Sequence, residues 1–279
     1  AVKFWEDMGV SRVILARELS LDEISEIRRR VSVELEAFVH GAMCISYSGR
    51  CLLSNYMTGR DANRGDCAQS CRWRYALVEE KRPGQYFQIF EDDRGSYILN
   101  SKDLNMLPHL PELAAAGIDS LKIEGRMKSV YYVATVVWAY RQALDAYHAD
   151  PEGFSVKPEW LEELDKISHR PYTTGFYFGP PGPDAQSYES GGYVRSYSFV
   201  GMVEETAGGV SRIAVRNRIR LGDKLELVRP RESCIEFTLE KMLDEEGNSV
   251  DESHANHIVL MELPAEAPRY SLLRRRSED

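Results

Sequence analysis

Short β-branched apolar runs alternate with amphipathic stretches over residues 1–150, the rhythm of strands and helices that builds a parallel sheet. The pattern predicts helices over 2–8 and 21–30, strands over 12–16 and 33–39, a strand over 97–99, a helix over 104–116, a strand over 120–123 and a long helix over 129–149. Ser20 is placed to cap the second helix, with Asp22 and Glu23 in its first turn. Gly117 is placed to close the helix before strand 120–123. About four such units make half of an eight-unit barrel. The expected fold class is therefore α/β, the C-terminal half of a TIM-like (β/α)8 barrel. The chain opens on Ala1 within a repeating unit, so a missing N-terminal barrel half is expected as a partner. No dinucleotide-type glycine fingerprint follows any strand, which weakens the open doubly wound alternative.

The rhythm changes after residue 150. Residues 151–192 read as a connector, with a helix over 158–167 and a Pro-, Gly- and aromatic-rich run over 172–183. Beyond it, short strands are predicted over 199–204, 211–215, 224–228, 236–242 and 256–263, separated by glycine turns. Residues 193–279 are thus expected to form a small C-terminal β-barrel. No apolar run reaches the roughly 18–20 residues needed to cross a bilayer, so no membrane partner and a cytoplasmic location are expected. The formal net charge of −9 argues against indiscriminate coating of nucleic acid and leaves room for a local basic site.

Chemistry concentrates in one polar segment. Four of the five cysteines, Cys44, Cys51, Cys67 and Cys71, follow the pattern C-x6-C-x15-C-x3-C within the expected barrel domain. Structural zinc usually draws on tight C-x2-C pairs, and neither pair here has that spacing. Iron–sulfur sites accept looser intervals, so a [4Fe–4S] cluster is the preferred reading, with zinc, two disulfides or unrelated buried thiols as alternatives.

The carboxyl ends of the predicted strands add polar residues: Arg17 and Glu18, then His40 and Gly41, then 100–103, then Glu124 to Arg126. In parallel α/β folds this is the edge where ligands bind. His40, Lys122, Glu124 and Arg126 are the candidate catalytic residues. Lys122 and Glu124, two apart on a strand, are expected to share one side. The plainer readings are a solvated Arg17–Glu18 pair, a satisfied loop histidine, and Asp103 as a helix cap.

The stretch 36–54, EAFVHGAMCISYSGRCLLS, meets every specified position of E-x-F-x2-G-[SA]-[LIVM]-C-x4-G-x-C-x-[LIVM]-S. It resembles the signature of the collagenase-like peptidase family, a U-type family of unassigned catalytic mechanism. Later blocks around Cys67 and Cys71, 100–104 and 122–128 are similar to the same family, so the resemblance covers nearly the whole chain. It is closest to members that modify tRNA to 5-hydroxyuridine at the wobble position. The resemblance implies tRNA hydroxylation without molecular oxygen, a [4Fe–4S] cluster on Cys44, Cys51, Cys67 and Cys71, prephenate as co-substrate and an electron donor as partner. Where these relatives often carry another cysteine, this chain has Asn105.

Two rivals remain open. A collagenase-like peptidase would pair a cysteine with a base such as His40, though four co-spaced cysteines exceed that need and no H-E-x-x-H motif is present. A non-catalytic alternative is a zinc-stabilised RNA-binding module. For RNA contact, Arg50, Arg60, Arg64, Arg72 and Arg74 interleave with Tyr47, Tyr56, Trp73 and Tyr75 in the cysteine segment. In the C-terminal domain, a stripe including Arg216, Arg218 and Arg220 is a candidate tRNA-backbone footprint, against a solvated strand face.

Overall fold

The computed structural model describes residues 1–44, 46–73, 76–78, 86–88, 101–181, 196–230 and 232–277. The chain divides into two compact units, Ala1–Ser129 with Ala143–Lys157 and His169–Tyr193, and Val130–Gln142 with Pro158–Ser168 and Val194–Asp279. Among the described residues no helix is long and apolar enough to cross a membrane.

The first unit begins with α1 (Val2–Asp7), β1 (Arg12–Ile14), α2 (Leu21–Arg28) and β2 (Glu34–Ala42). Ser20 caps α2 as its sequence predicts: its hydroxyl accepts from the Glu23 backbone, and the Glu23 carboxylate accepts from the Ser20 N–H. The cysteine segment carries α3 (Leu53–Thr58), and β3 (Ala76–Val78) and β4 (Tyr86–Gln88) form an antiparallel pair. Then come β5 (Asp103–Asn105), α4 (Leu110–Ala115), β6 (Ser120–Ile123), α5 (Val130–Ala149), which is divided between the units after Gln142, α6 (Pro158–Asp165), which belongs to the second unit, and β7 (Tyr172–Thr173) of the first.

Strands β1, β2 and β6 are parallel, as the repeating pattern requires. Along β2, Leu35, Ala37 and Val39 are buried on one face. The alternate residues Glu34 and Glu36 meet Arg12, and Glu36 also meets Lys122 at 3.2 Å. One face of this sheet is therefore apolar and the other carries ion pairs.

The expected helix over 104–116 starts late. Leu104 is drawn into β5, which pairs antiparallel with the end of β2, and Pro111 at the start of α4 fixes where the helix can begin. The strand expected over 97–99 lies outside the described residues.

The second unit carries β8 (Tyr197–Ala207), β9 (Val210–Val215), β10 (Ile219–Arg220), β11 (Lys224–Val228), β12 (Ile235–Thr238), β13 (Glu252–Ser253), β14 (Ile258–Glu262) and β15 (Leu272–Arg276). Six of them form one antiparallel sheet in the order β12-β11-β15-β8-β9-β14. It surrounds a single core that includes Val200, Val203, Ile213, Leu227, Val259 and Leu273. Among the described residues its end strands β12 and β14 are not paired with each other, so the sheet is a curled half-barrel and not a closed one.

Strand β15 lies beyond the last strand the sequence predicts, over 256–263. Arg274 on it has no exposed side-chain surface. Its Nε donates to Glu226 at 2.7 Å and its two terminal nitrogens donate to Glu163 at 2.6 and 2.7 Å. Lys166 adds contacts of 2.9 Å to Glu163 and 3.4 Å to Glu226.

Candidate metal centre

The end of β2 delivers the chain to the site. Gly41 has φ +105°, and a Cβ there would lie 2.3 Å from the Glu124 carbonyl oxygen, so only glycine lets the ends of β2 and β6 close together. That approach brings the segment after β2 alongside Glu124 and Arg126. Cys44 follows two residues beyond β2, Cys51 precedes α3, Cys67 follows a short turn at Ala62–Arg64, and Cys71 sits in a second turn at Ser70–Arg72. All four are free thiols and line one cavity of about 250 Å³, together with Arg17, Phe38, Glu124 and Arg126.

Local hydrogen bonds explain how so irregular a segment holds its shape. Ser54 is buried on α3, and its hydroxyl accepts from the Ala68 N–H at 3.0 Å, fixing the stretch between Cys67 and Cys71. Gly59 and Gly65 take left-handed conformations that end their turns. Arg72 is buried: it meets Asp103 of β5 at 2.5 Å and donates to the Met43 carbonyl at 3.1 Å, tying Cys71 to the neighbour of Cys44. Arg72 is thus part of the scaffold, which corrects its expected role as an RNA contact.

Two sulfurs already receive backbone hydrogen bonds: Ser46 N–H to Cys44 at 3.4 Å and Gln69 N–H to Cys67 at 3.2 Å. Burial pushes the Cys44 and Cys71 thiols up from their ordinary pKa, and the neighbouring cysteines add to it. A metal would have to displace these protons on binding.

The sulfurs are spread. Among the described residues, the one group of three or more His, Cys, Asp or Glu ligand atoms lying within 4.8 Å of one another is Glu163, Glu226 and Cys234. No three of the four clustered sulfurs lie that close, whereas a tetrahedral zinc with Zn–S of about 2.3 Å needs its sulfurs roughly 3.8 Å apart. The donor set fits a group that gives each thiolate its own metal atom better than it fits one ion. Around Glu163 and Glu226, Arg274 and Lys166 already supply the positive charge, so that group offers a cation little.

Charged residues rim the cysteine cavity. Arg17 lies over the Phe38 ring at 3.8 Å and meets Glu124 at 3.4 Å. The other Glu124 oxygen accepts from the Arg126 N–H at 3.0 Å. The Arg126 and Arg60 side chains share Asp66, at 2.7 and 3.0 Å. Lys122 and Glu124 do not pair as expected. Glu124 lies past the end of β6 and turns to Arg17, while Lys122 remains on the strand, pairs with Glu36 and does not line the cavity.

His40 is also outside the cavity lining. It is 1% exposed, and burial lowers its pKa to about 3, more than nearby Asp103 and Asn105 raise it. Its ring lies 5.4 Å from that of Tyr172. A histidine held neutral and closed off in this way is a core residue of the sheet, not a base facing the thiols.

Residues 1–187 match the family described as Peptidase family U32, and residues 195–274 match its C-terminal domain. The chain belongs to peptidase family U32. It is 45% identical over 266 residues to the tRNA hydroxylation protein P1 of Bacillus subtilis (strain 168), covering 94% of this chain and 63% of that protein. It is 42% identical over 291 residues to the tRNA hydroxylation protein P of Escherichia coli (strain K12), covering 89% of this chain and 63% of that protein. With the 23S rRNA 5-hydroxycytidine C2501 synthase of Escherichia coli (strain K12) it shares 34% identity over 236 residues, 82% of this chain and 35% of that protein. The chain therefore spans about 63% of the length of the two tRNA-related proteins.

In this U32 chain the remaining basic candidates divide by exposure. Arg64 is exposed near Cys67, and Tyr47, Tyr56 and Trp73 are exposed in the same segment. Arg216 and Arg218 are exposed between β9 and β10, whereas Arg220 is engaged by Glu252. Arg74 and Tyr75 lie outside the described residues. Sequence reasoning missed Ser54 and Asp66 as organisers of the site. The acid in Arg64-Gly65-Asp66-Cys67 was the available signal, since it stands nearly alone among arginines.

Proposed function

We propose that this chain carries the catalytic centre of an RNA hydroxylase that acts on a pyrimidine of tRNA, the wobble uridine in the form suggested by the family resemblance. The observation that carries the reading is the cavity itself: four free cysteines from one irregular segment line one recess with their sulfurs too far apart for a single zinc. The relatives named for tRNA hydroxylation and 5-hydroxycytidine synthesis support the reaction class. Cys44, Cys51, Cys67 and Cys71 would hold a [4Fe–4S] cluster. When bound, the cluster would supply one-electron redox chemistry, exchanged with an external redox partner, because replacing a base C–H by C–OH removes two electrons from the base.

The chain's own residues then have distinct tasks. The Ser46 backbone N–H works against the burial that raises the Cys44 pKa, and the Gln69 N–H donates to the Cys67 sulfur. Arg17 and Arg126, both on the cavity wall, favour an anionic co-substrate, and prephenate fits that role through its carboxylates. Asp66 and Glu124 orient these two arginines. Exposed Tyr47, Tyr56 and Trp73 offer stacking surfaces for single-stranded bases, and Arg64, Arg216 and Arg218 offer contacts to phosphates.

We also read β1, β2 and β6 as strands of a (β/α)8 barrel. Their parallel register supports this, as does the position of Arg17, Cys44 and Glu124 just beyond their carboxyl ends. A tRNA substrate favours a cytoplasmic location. The peptidase reading is disfavoured by His40, the base it would need, which is buried, neutral and absent from the cavity wall.

The test is mass spectrometry of nucleosides from tRNA incubated anaerobically with the reconstituted protein, prephenate and a redox mediator able to take up the two electrons that hydroxylation removes. A uridine that gains one oxygen atom with the wild type and not with Cys67→Ser is expected. Unmodified tRNA together with cleaved peptide substrates would overturn the reading.

A further inference from the structure

We propose that a recess beside Cys44 seats one pyrimidine base of the RNA, an assignment that rests on the RNA-hydroxylase reading above. This second cavity, of about 180 Å³, shares Arg17, Met43, Cys44 and Tyr47 with the cysteine cavity and adds Glu18, Ser46 and Phe176. Cys44 lies in the wall common to both. A ring in the recess would sit next to the metal centre without entering the space the cluster needs.

Size sets the first limit on the occupant. Pockets for drug-sized ligands run to roughly 300–1,000 Å³. A recess of about 180 Å³ falls below that range and has room for a single base. Its aromatic lining comes from Phe176 and Tyr47, and Tyr47 is 70% exposed, so its ring is available to a base arriving from solvent.

The polar groups set the second limit. Glu18 uses Oε1 to accept the Ser48 N–H at 2.6 Å, and among the described residues no hydrogen bond or ion pair engages its Oε2. Arg17 gives one terminal nitrogen to Glu124 at 3.4 Å, and its Nε and other terminal nitrogen have no hydrogen-bond partner among the described residues. The wall therefore presents an open acceptor beside open donors. The pairing edge of a pyrimidine carries the complement, a carbonyl or ring nitrogen next to an N–H. Uracil would give its ring N–H to Glu18 and a carbonyl to Arg17; cytosine would use its amino group and ring nitrogen in the same two places.

An RNA oligonucleotide containing a single 4-thiouridine, bound anaerobically to the cluster-loaded protein and irradiated, tests the seat. Crosslinks mapped by mass spectrometry are expected on Tyr47 or Phe176. Phe176→Leu and Glu18→Gln are each expected to weaken binding about tenfold by fluorescence anisotropy. Crosslinks on Tyr56 or Trp73, with unchanged affinity in Phe176→Leu, would overturn the seat and leave the RNA reading standing. Equal crosslinking of a 6-thioguanosine oligonucleotide to Tyr47 and Phe176 would overturn the preference for a pyrimidine. Failure of any RNA oligonucleotide to bind would overturn both the seat and the reading beneath it.

Discussion

In the C-terminal unit, Arg274 places all three guanidinium nitrogens on two carboxylates, and Lys166 closes the same group from another side. In the N-terminal unit, four thiols, Arg17 and Glu18 surround open space, with donors and an acceptor still unengaged among the described residues. Both regions gather charge or latent charge away from water, where leaving it uncompensated is expensive. The first has compensated it from within the chain. The second is arranged so that compensation comes from something bound, and this difference separates a structural ion cluster from a functional one.

The largest expected effect breaks the closed cluster. Arg274→Met leaves Glu163 and Glu226 buried without their main partner, and a loss of about 3–5 kcal/mol in denaturant unfolding is expected. Cys67→Ala in the metal-free protein, opening a site that is already incomplete, is expected to change stability by less than about 1 kcal/mol. Equal losses in the two variants would erase the distinction.

Acid should act on the two units in sequence. The folded pKa of His40, about 3, lies below its ordinary 6.5, so between those values the unfolded chain binds the extra proton. Stability that is fully present above about pH 6.5 is thus lost as pH falls toward 3, by a few kcal/mol in total. Burial tends to raise the Glu163 and Glu226 pKa values, but Arg274 outweighs it and holds both below the usual carboxylate range. Their contribution fades only below about pH 4.5. Thermal melts from pH 7 to 5 are expected to show declining stability that His40→Gln flattens; a profile unchanged by that substitution would remove His40 as the cause.

Smaller effects sharpen the picture of the open site. Ser54→Ala removes the acceptor for the Ala68 N–H and is expected to cost about 1–2 kcal/mol. It should also lower metal content by loosening the turn that carries Cys67 and Cys71; full metal occupancy in that variant would limit Ser54 to a packing role. Arg64→Ala is expected to leave stability within about 0.5 kcal/mol. It should nevertheless reduce the slope of log affinity for RNA against log salt by about 1. An unchanged slope would exclude Arg64 from phosphate contact.

How much could be read from the sequence follows from how local each interaction is. The α2 cap and the parallel order of β1, β2 and β6 rest on neighbours a few residues away or on periodic pattern, and they are as expected. The cysteine spacing likewise pointed to one recess. Arg274 was illegible because its partners stand 48 and 111 residues away, and nothing in a Leu-Leu-Arg-Arg-Arg run marks the first arginine as buried. Arg72 misled for the same reason: its acid, Asp103, is 31 residues downstream on a strand whose own pattern read as helix. Lys122 and Glu124 were paired on the rule that residues two apart share a strand face, but the strand ends at Ile123.

The most direct test of the open site is the metal content of the protein purified anaerobically, measured as iron, acid-labile sulfide and zinc beside Cys67→Ala. About four irons and four sulfides per chain, with a visible absorption lost in the variant, are predicted. One zinc per chain without colour, or a wild type and variant of equal metal content, would contradict the account.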